Sequence, residues 1–145
     1  MIRRDFKNIS VYATVGYHDC HFRSKFEHKW AKYLQWLLEN EQIDDWMYEQ
    51  KTFYFPEETR GPHHYLPDFR VVENDGTVVW QECKGYHDGA CNKKFQRMAK
   101  HYPDEICELV LMGFGKGAAR RETAGRYTRR IIDASIIFSQ MGRLL

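Results

Sequence analysis

Two short segments hold the residue types that hydrolytic chemistry needs: Tyr65-Leu66-Pro67-Asp68-Phe69 and Gln81-Glu82-Cys83-Lys84-Gly85. Between them lies Asn74-Asp75-Gly76, whose residues tolerate the positive φ of a tight turn. The two segments are therefore expected on the paired strands of a hairpin, with Asp68 and Glu82 on neighbouring strands. Side chains alternate along a strand, so Glu82 and Lys84 share a face. Two carboxylates and an ammonium converging there suit metal-assisted phosphodiester hydrolysis. Carboxylate oxygens favour hard Mg²⁺ or Mn²⁺, which keep several waters and take one or two protein carboxylates. Such a metal lowers the pKa of its water and offsets charge on phosphorus. A lysine beside it orients or deprotonates the water, or binds the phosphate. The carbonyl of Cys83 is a candidate further metal ligand.

The elements that position these groups follow from periodicity. Over residues 24–41, Phe26, Trp30, Tyr33, Leu34, Leu37 and Leu38 make one apolar helix face. Ser24 with Glu27 three residues on is a capping-box signature. Glu27 also shares a face with Trp30, Ala31 and Leu34, where an inward carboxylate needs a partner or a metal. Residues 46–55 read as a strand, and 56–64, with two prolines and Gly61, as a loop. Strands follow at 65–73 and 77–83, then a helix over about 91–101 ended by Pro103, then a strand at 106–112. The order helix, three strands, helix, strand predicts an α/β domain with a mixed central sheet of about four strands flanked by helices. The last strand can lie parallel to an earlier one through its crossover helix. Beyond 113, Gly113, Gly115, Gly117 and Lys116 read as a flexible basic loop. Residues 127–141 read as a final helix, with a strand through Ile136-Ile137-Phe138 as the competing assignment.

Composition excludes several classes. With 145 residues, 43% hydrophobic and 29% charged, the chain suits one ordinary globular domain over 1–145 rather than a disordered one. No apolar run approaches the roughly 20 residues of a membrane span. The opening Met1-Ile2-Arg3-Arg4-Asp5-Phe6-Lys7 lacks a signal-peptide core. A cytoplasmic protein without membrane contact is expected, with Cys20, Cys83, Cys91 and Cys107 as free thiols. The formal charge of +2 hides an uneven distribution: +1 over residues 1–22, −4 over 23–112 and +5 over 113–145. An acidic centre with a basic C-terminal segment suits a phosphate-handling protein. Cys83-x-x-x-His87-x-x-x-Cys91, with Cys20-His21 elsewhere, fits no standard zinc spacing.

Pro67-Asp68 with Glu82-Cys83-Lys84 resembles the motif of the PD-(D/E)XK nuclease superfamily. The likeness extends to Phe22-Arg23-Ser24 with Glu27, and is similar to small phage endonucleases of the junction-resolving endonuclease I type. It covers roughly residues 22–112, and the segments outside match nothing in that pattern. The resemblance implies a restriction-endonuclease-like fold. It also implies a Mg²⁺- or Mn²⁺-dependent DNA endonuclease of phage or mobile-element origin, cutting branched or specific duplex DNA. Asp68 and Glu82 would be metal ligands, with Glu27 completing the metal site or holding its water. Lys84 would activate water, and Gln81 would line the pocket. On that reading Lys116, Arg120, Arg121, Arg126, Arg129 and Arg130, with Tyr127, become a DNA-binding surface. His63-His64 reads as an ordinary loop pair, and Tyr86 and His87 fall at the rim of the site. Two strands to cut make a homodimer reasonable. The alternatives are a non-catalytic DNA-binding module on the same fold and an RNA-cleaving nuclease.

Overall fold

A computed structural model describes residues 9–145, so the polar opening with Arg3, Arg4, Asp5 and Lys7 lies outside the described residues. The chain begins with strands β1 (Val11–Val15) and β2 (His18–Phe22), helix α1 (Lys25–Glu39) and strands β3 (Asp45–Tyr48), β4 (Phe53–Tyr54) and β5 (His64–Tyr65). It continues through β6 (Phe69–Val72), β7 (Val78–Lys84), helix α2 (Ala90–His101) and β8 (Ile106–Leu111). Helix α3 (Ala118–Gly125), strand β9 (Ile131–Asp133), helix α4 (Ala134–Met141) and a 3₁₀ turn (Gly142–Leu144) complete it. No helix of the described residues is long and apolar enough to cross a membrane.

A five-stranded sheet in the order β3-β6-β7-β8-β9 forms the centre. The β3–β6 and β6–β7 pairs are antiparallel, while β7–β8 and β8–β9 are parallel. The expected hairpin joins β6 to β7: Gly76 takes φ +87°, and the Asp75 carboxylate accepts from the Thr77 amide at 2.9 Å. The expected crossover also forms, with α2 carrying the chain from β7 to its parallel neighbour β8.

Each face of the sheet is covered. On one side α1, α4 and the β1–β2 hairpin pack Phe22, Trp30, Leu34, Trp46, Phe69 and Phe138 together. On the other, α2, α3 and the β4–β5 ribbon bury Phe53, Tyr65, Trp80, Phe95, Met98 and Leu109. Each fully enclosed side chain of this size stabilises the fold by about 1.5–3 kcal/mol. Strands β7 and β8 are buried on both sides, as central strands must be.

The mixed α/β sheet flanked by helices forms as expected, its fifth strand being β9, and among the described residues two separate two-stranded ribbons lie beside it. Other expectations are corrected. The strand expected over 46–55 breaks after Tyr48, because Glu49 adopts a left-handed φ of +46°. The chain then crosses to the α2 side, where Phe53-Tyr54 pairs with His64-Tyr65. The strand expected over 65–73 breaks likewise at Leu66-Pro67-Asp68, where proline has no amide to donate. Residues 113–117 are irregular as expected, and the Ala- and Arg-rich stretch after Gly117, to which the sequence assigned no element, forms α3. The helix expected over 127–141 is a strand followed by a helix: Asp133 ends β9 and caps α4 by accepting the Ser135 amide at 3.0 Å. Ile136-Ile137-Phe138 belongs to that helix.

Candidate active site

Three carboxylates reach one cleft from three elements. Asp68 sits at the entry to β6, and its Oδ2 accepts the Cys83 amide at 2.8 Å. That bond ties the Pro67 bend to the central strand. Glu82 projects from β7 and is 5% exposed; its Oε2 accepts the Tyr65 hydroxyl at 2.8 Å. Lys84, two residues on, places Nζ 3.5 Å from Glu82 Oε1, as strand alternation requires. Glu27 is buried in the first turn of α1. Its amide donates to Ser24 Oγ at 3.1 Å, so Ser24 is the helix cap. Its carboxylate accepts the Ser24 hydroxyl at 2.7 Å and the Tyr48 hydroxyl at 2.9 Å. Capping and an inward carboxylate coexist, both as the sequence suggests.

The cleft encloses about 930 Å³, and Glu27, Asp68, Glu82, Cys83 and Lys84 all line it. Burial first, then the charges of Glu82 and Glu27, push the Asp68 carboxyl well above its usual range; the Cys83 amide and Lys84 oppose this less strongly. Burial also raises Glu82, against the pull of Lys84 and the Tyr65 hydroxyl. For Lys84 desolvation favours the neutral amine, but Glu82 and Asp68 outweigh it and the ammonium is strengthened. Burial holds the Cys83 thiol well above its ordinary value.

Enclosed carboxylates short of positive charge are what a hard divalent cation compensates. The Asp68 carboxylate accepts one hydrogen bond among the described residues. No group of three or more His, Cys, Asp or Glu side chains forms a ready cage among those residues. Mg²⁺ needs no such cage, because one or two carboxylates and several waters suffice. Asp68 and Glu82 fit that role. Both Glu27 oxygens already accept hydroxyls, so Glu27 fits better as the holder of a water than as a direct ligand. The Cys83, His87, Cys91, Cys20 and His21 set does not gather into a cluster.

The remaining assignments from sequence fare differently. Lys116, Arg121, Arg126, Arg129 and Arg130 do not line the cleft. The Arg121 guanidinium donates to the Phe114 and Lys116 carbonyls, closing its own loop. Arg126 pairs with Glu122 at 3.8 Å. Arg129 bridges Glu73 at 2.7 Å and the fully buried Glu108 at 2.9 Å, and Arg130 meets Glu108 at 2.7 Å. Arg120 alone of the six approaches the rim, with its guanidinium 5.7 Å from the Tyr86 ring centroid. Gln81 does not line the cleft. It lines a pocket of about 110 Å³ under α1 with Trp30, Glu108 and Arg130, accepting the Trp30 indole N–H at 2.8 Å and donating to Glu108 Oε1 at 3.0 Å.

Sequence reasoning also missed residues that shape the site. Tyr48 and Tyr65 hold two of the carboxylates, and Arg23 forks onto Glu49 at 3.0 and 3.1 Å on the cleft wall. Lys94 lines the cleft and lowers the cost of charge on Glu82. Its signal was available: it adjoins the buried α2 stripe of Cys91, Phe95 and Met98, so a lysine there leans inward.

No family model matches the sequence, and no curated protein matches it significantly. Among solved structures, a repair endonuclease from Pyrococcus abyssi is similar at 15% identity and a TM-score of 0.40, over 78% of this chain and 50% of that one. The chain thus spans about half the length of that endonuclease, and the reading of the site rests on its own side chains.

Proposed function

We propose that the chain is a Mg²⁺- or Mn²⁺-dependent endonuclease hydrolysing phosphodiester bonds in DNA. The observation that carries the reading is the meeting of Glu27, Asp68, Glu82 and Lys84 on one cleft, with two of the carboxylates enclosed and undercompensated. A divalent cation bound there would acidify water and offset phosphate charge. Asp68 and Glu82 would hold it, and Glu27, fixed by Ser24 and Tyr48, would orient a water beside it. Tyr65 keeps Glu82 aimed into the cleft. Lys84 would act as an ammonium, donating to a non-bridging phosphate oxygen or to the attacking water while Glu82 steadies it.

The test is cleavage of a four-way junction, its linear duplex and supercoiled plasmid, with Mg²⁺ and with EDTA, beside Glu82→Gln. Cutting that needs the metal and disappears in Glu82→Gln is expected. DNA binding without cutting of any substrate would favour a non-catalytic binding module, and cutting restricted to ribo-substrates an RNA nuclease.

A further inference from the structure

The cleft does not end at the carboxylates. Arg23, Leu66 and Lys94 line both it and an adjoining groove of about 320 Å³, completed by Thr52, Tyr54 and His64. The two spaces differ in charge. The cleft is walled by Glu27, Glu49, Asp68, Glu82 and Asp88 against Arg23, Lys84 and Lys94, whereas among the described residues no carboxylate lines the groove. The first space suits a cation and the second a phosphate. The Arg23 charge is shared with Glu49, which leaves Lys94, 5.5 Å over the Tyr65 ring and without an ion pair among the described residues, as the groove's available cation.

The aromatic part of the groove is presented outward on a fixed mount. Along β4, Phe53 turns into the core while Tyr54 stays 66% exposed. Tyr54 pairs across the ribbon with exposed His64, their ring centroids 6.2 Å apart and their planes inclined at 45°. The Tyr102 hydroxyl holds the Tyr54 carbonyl at 2.6 Å. The loop between β4 and β5 is pinned to α2: Arg97 donates to the Arg60 and Pro62 carbonyls, and Glu58 meets Lys100 at 2.8 Å and His101 at 3.0 Å. Backbone held this way needs little further ordering on binding, which leaves only side-chain torsions to be fixed.

We propose that this groove is a subsite for one unpaired nucleotide of the substrate strand, its base stacked on Tyr54, its edge met by the inclined His64 ring and its phosphate by Lys94. The inference rests on the nuclease reading and deepens it by naming the kind of strand. Aromatic side chains stack on any base, but only where the base face is free. In a closed duplex that face is occupied by neighbouring bases, so a stacking groove beside the cleft selects a single-stranded segment, a flap or a splayed end.

Binding without cleavage tests this. Fluorescence anisotropy in EDTA would compare fluorescein-labelled oligothymidylate with a blunt duplex of equal length. Wild type, Tyr54→Ala, Tyr54→Phe and Tyr12→Ala would be used, the last changing an exposed tyrosine on the β1–β2 hairpin. Tyr54→Ala should weaken single-strand binding about tenfold or more, as loss of one stacking platform does. Tyr54→Phe, which keeps the ring, and Tyr12→Ala should bind as wild type does, and Tyr54→Ala should leave duplex binding in place. Unchanged single-strand binding by Tyr54→Ala, or an equal loss for duplex, overturns the subsite even if Glu82-dependent cleavage persists. A wild type that neither cuts nor binds any oligonucleotide overturns the nuclease reading and the subsite together.

Discussion

Replacing Gln81 with Leu separates a supporting role from an active-site one. Gln81 is 4% exposed and joins Trp30 Nε1, at 2.8 Å, to Glu108 Oε1, at 3.0 Å. Leucine fills similar space but leaves a buried indole N–H and a carboxylate oxygen without that partner. An unsatisfied buried group costs about 1–3 kcal/mol, and charged groups more. Glu108 keeps Arg129 and Arg130 on its other oxygen, and the adjoining pocket of about 110 Å³ can admit a water to bridge the orphaned pair. Both soften the loss, and the expected destabilisation is about 3 kcal/mol. For a domain of this size that corresponds to roughly 6–12 °C in Tm. Urea unfolding followed by tryptophan fluorescence would measure it, with an unchanged m-value. Trp30→Phe removes the same indole donor, so the double variant should be milder than the sum of the singles by about 1 kcal/mol. Cleavage per folded molecule should stay near wild type. A cost below about 1 kcal/mol would refute the bridge, and lost cleavage at full stability would return Gln81 to the active site.

Other outcomes follow from the same geometry. Asp68→Asn removes a charge that burial disfavours, so the metal-free protein should melt at a higher temperature while the upward Tm shift on adding Mg²⁺ disappears, both by calorimetry. Lys84→Ala should keep that Mg²⁺ shift but lower the cleavage rate by orders of magnitude, as single-turnover assays would show. Arg129→Gln with Arg130→Gln leaves Glu108 buried without its cations and should cost about 3–5 kcal/mol in urea. The same pair should leave the salt dependence of DNA binding unchanged. Hydrogen bonds from Lys100 and His101 hold Glu58 down to about 2, against about 4.3 unfolded. A depressed carboxylate stabilises above its unfolded pKa and loses that contribution as pH falls through the folded value. The stability gap between wild type and Glu58→Gln should therefore be constant above about pH 5 and close towards pH 2.

The strand pair that carries Asp68 and Glu82 was legible because each signal there is local. Asn74-Asp75-Gly76 closes the turn, alternation puts Glu82 and Lys84 together, and Ser24 marks the helix that brings Glu27. The β4–β5 ribbon was not legible, because Trp46 to Phe55 has one strand-like composition and the break at Glu49 is a backbone choice that tertiary pairing decides. Periodicity cannot tell a short buried strand from a helix, which is why β9 merged with α4. The ion pairs of the C-terminal arginines were hidden for a related reason. Charge counts along the sequence do not show that Glu108, buried in β8, engages two of them from inside the sheet.

The lengths of the sheet strands have a further consequence. The central β7 runs for seven residues, whereas the outermost strands β3 and β9 run for four and three. About half of an edge strand's backbone groups face outward, so each border offers an incoming chain only about two amides. Long, flat borders are the templates on which proteins polymerise, and brief ones deny that template. Two copies of this chain joining side by side along their sheets would gain almost no ladder. Side-by-side extension of the central sheet is thereby disfavoured.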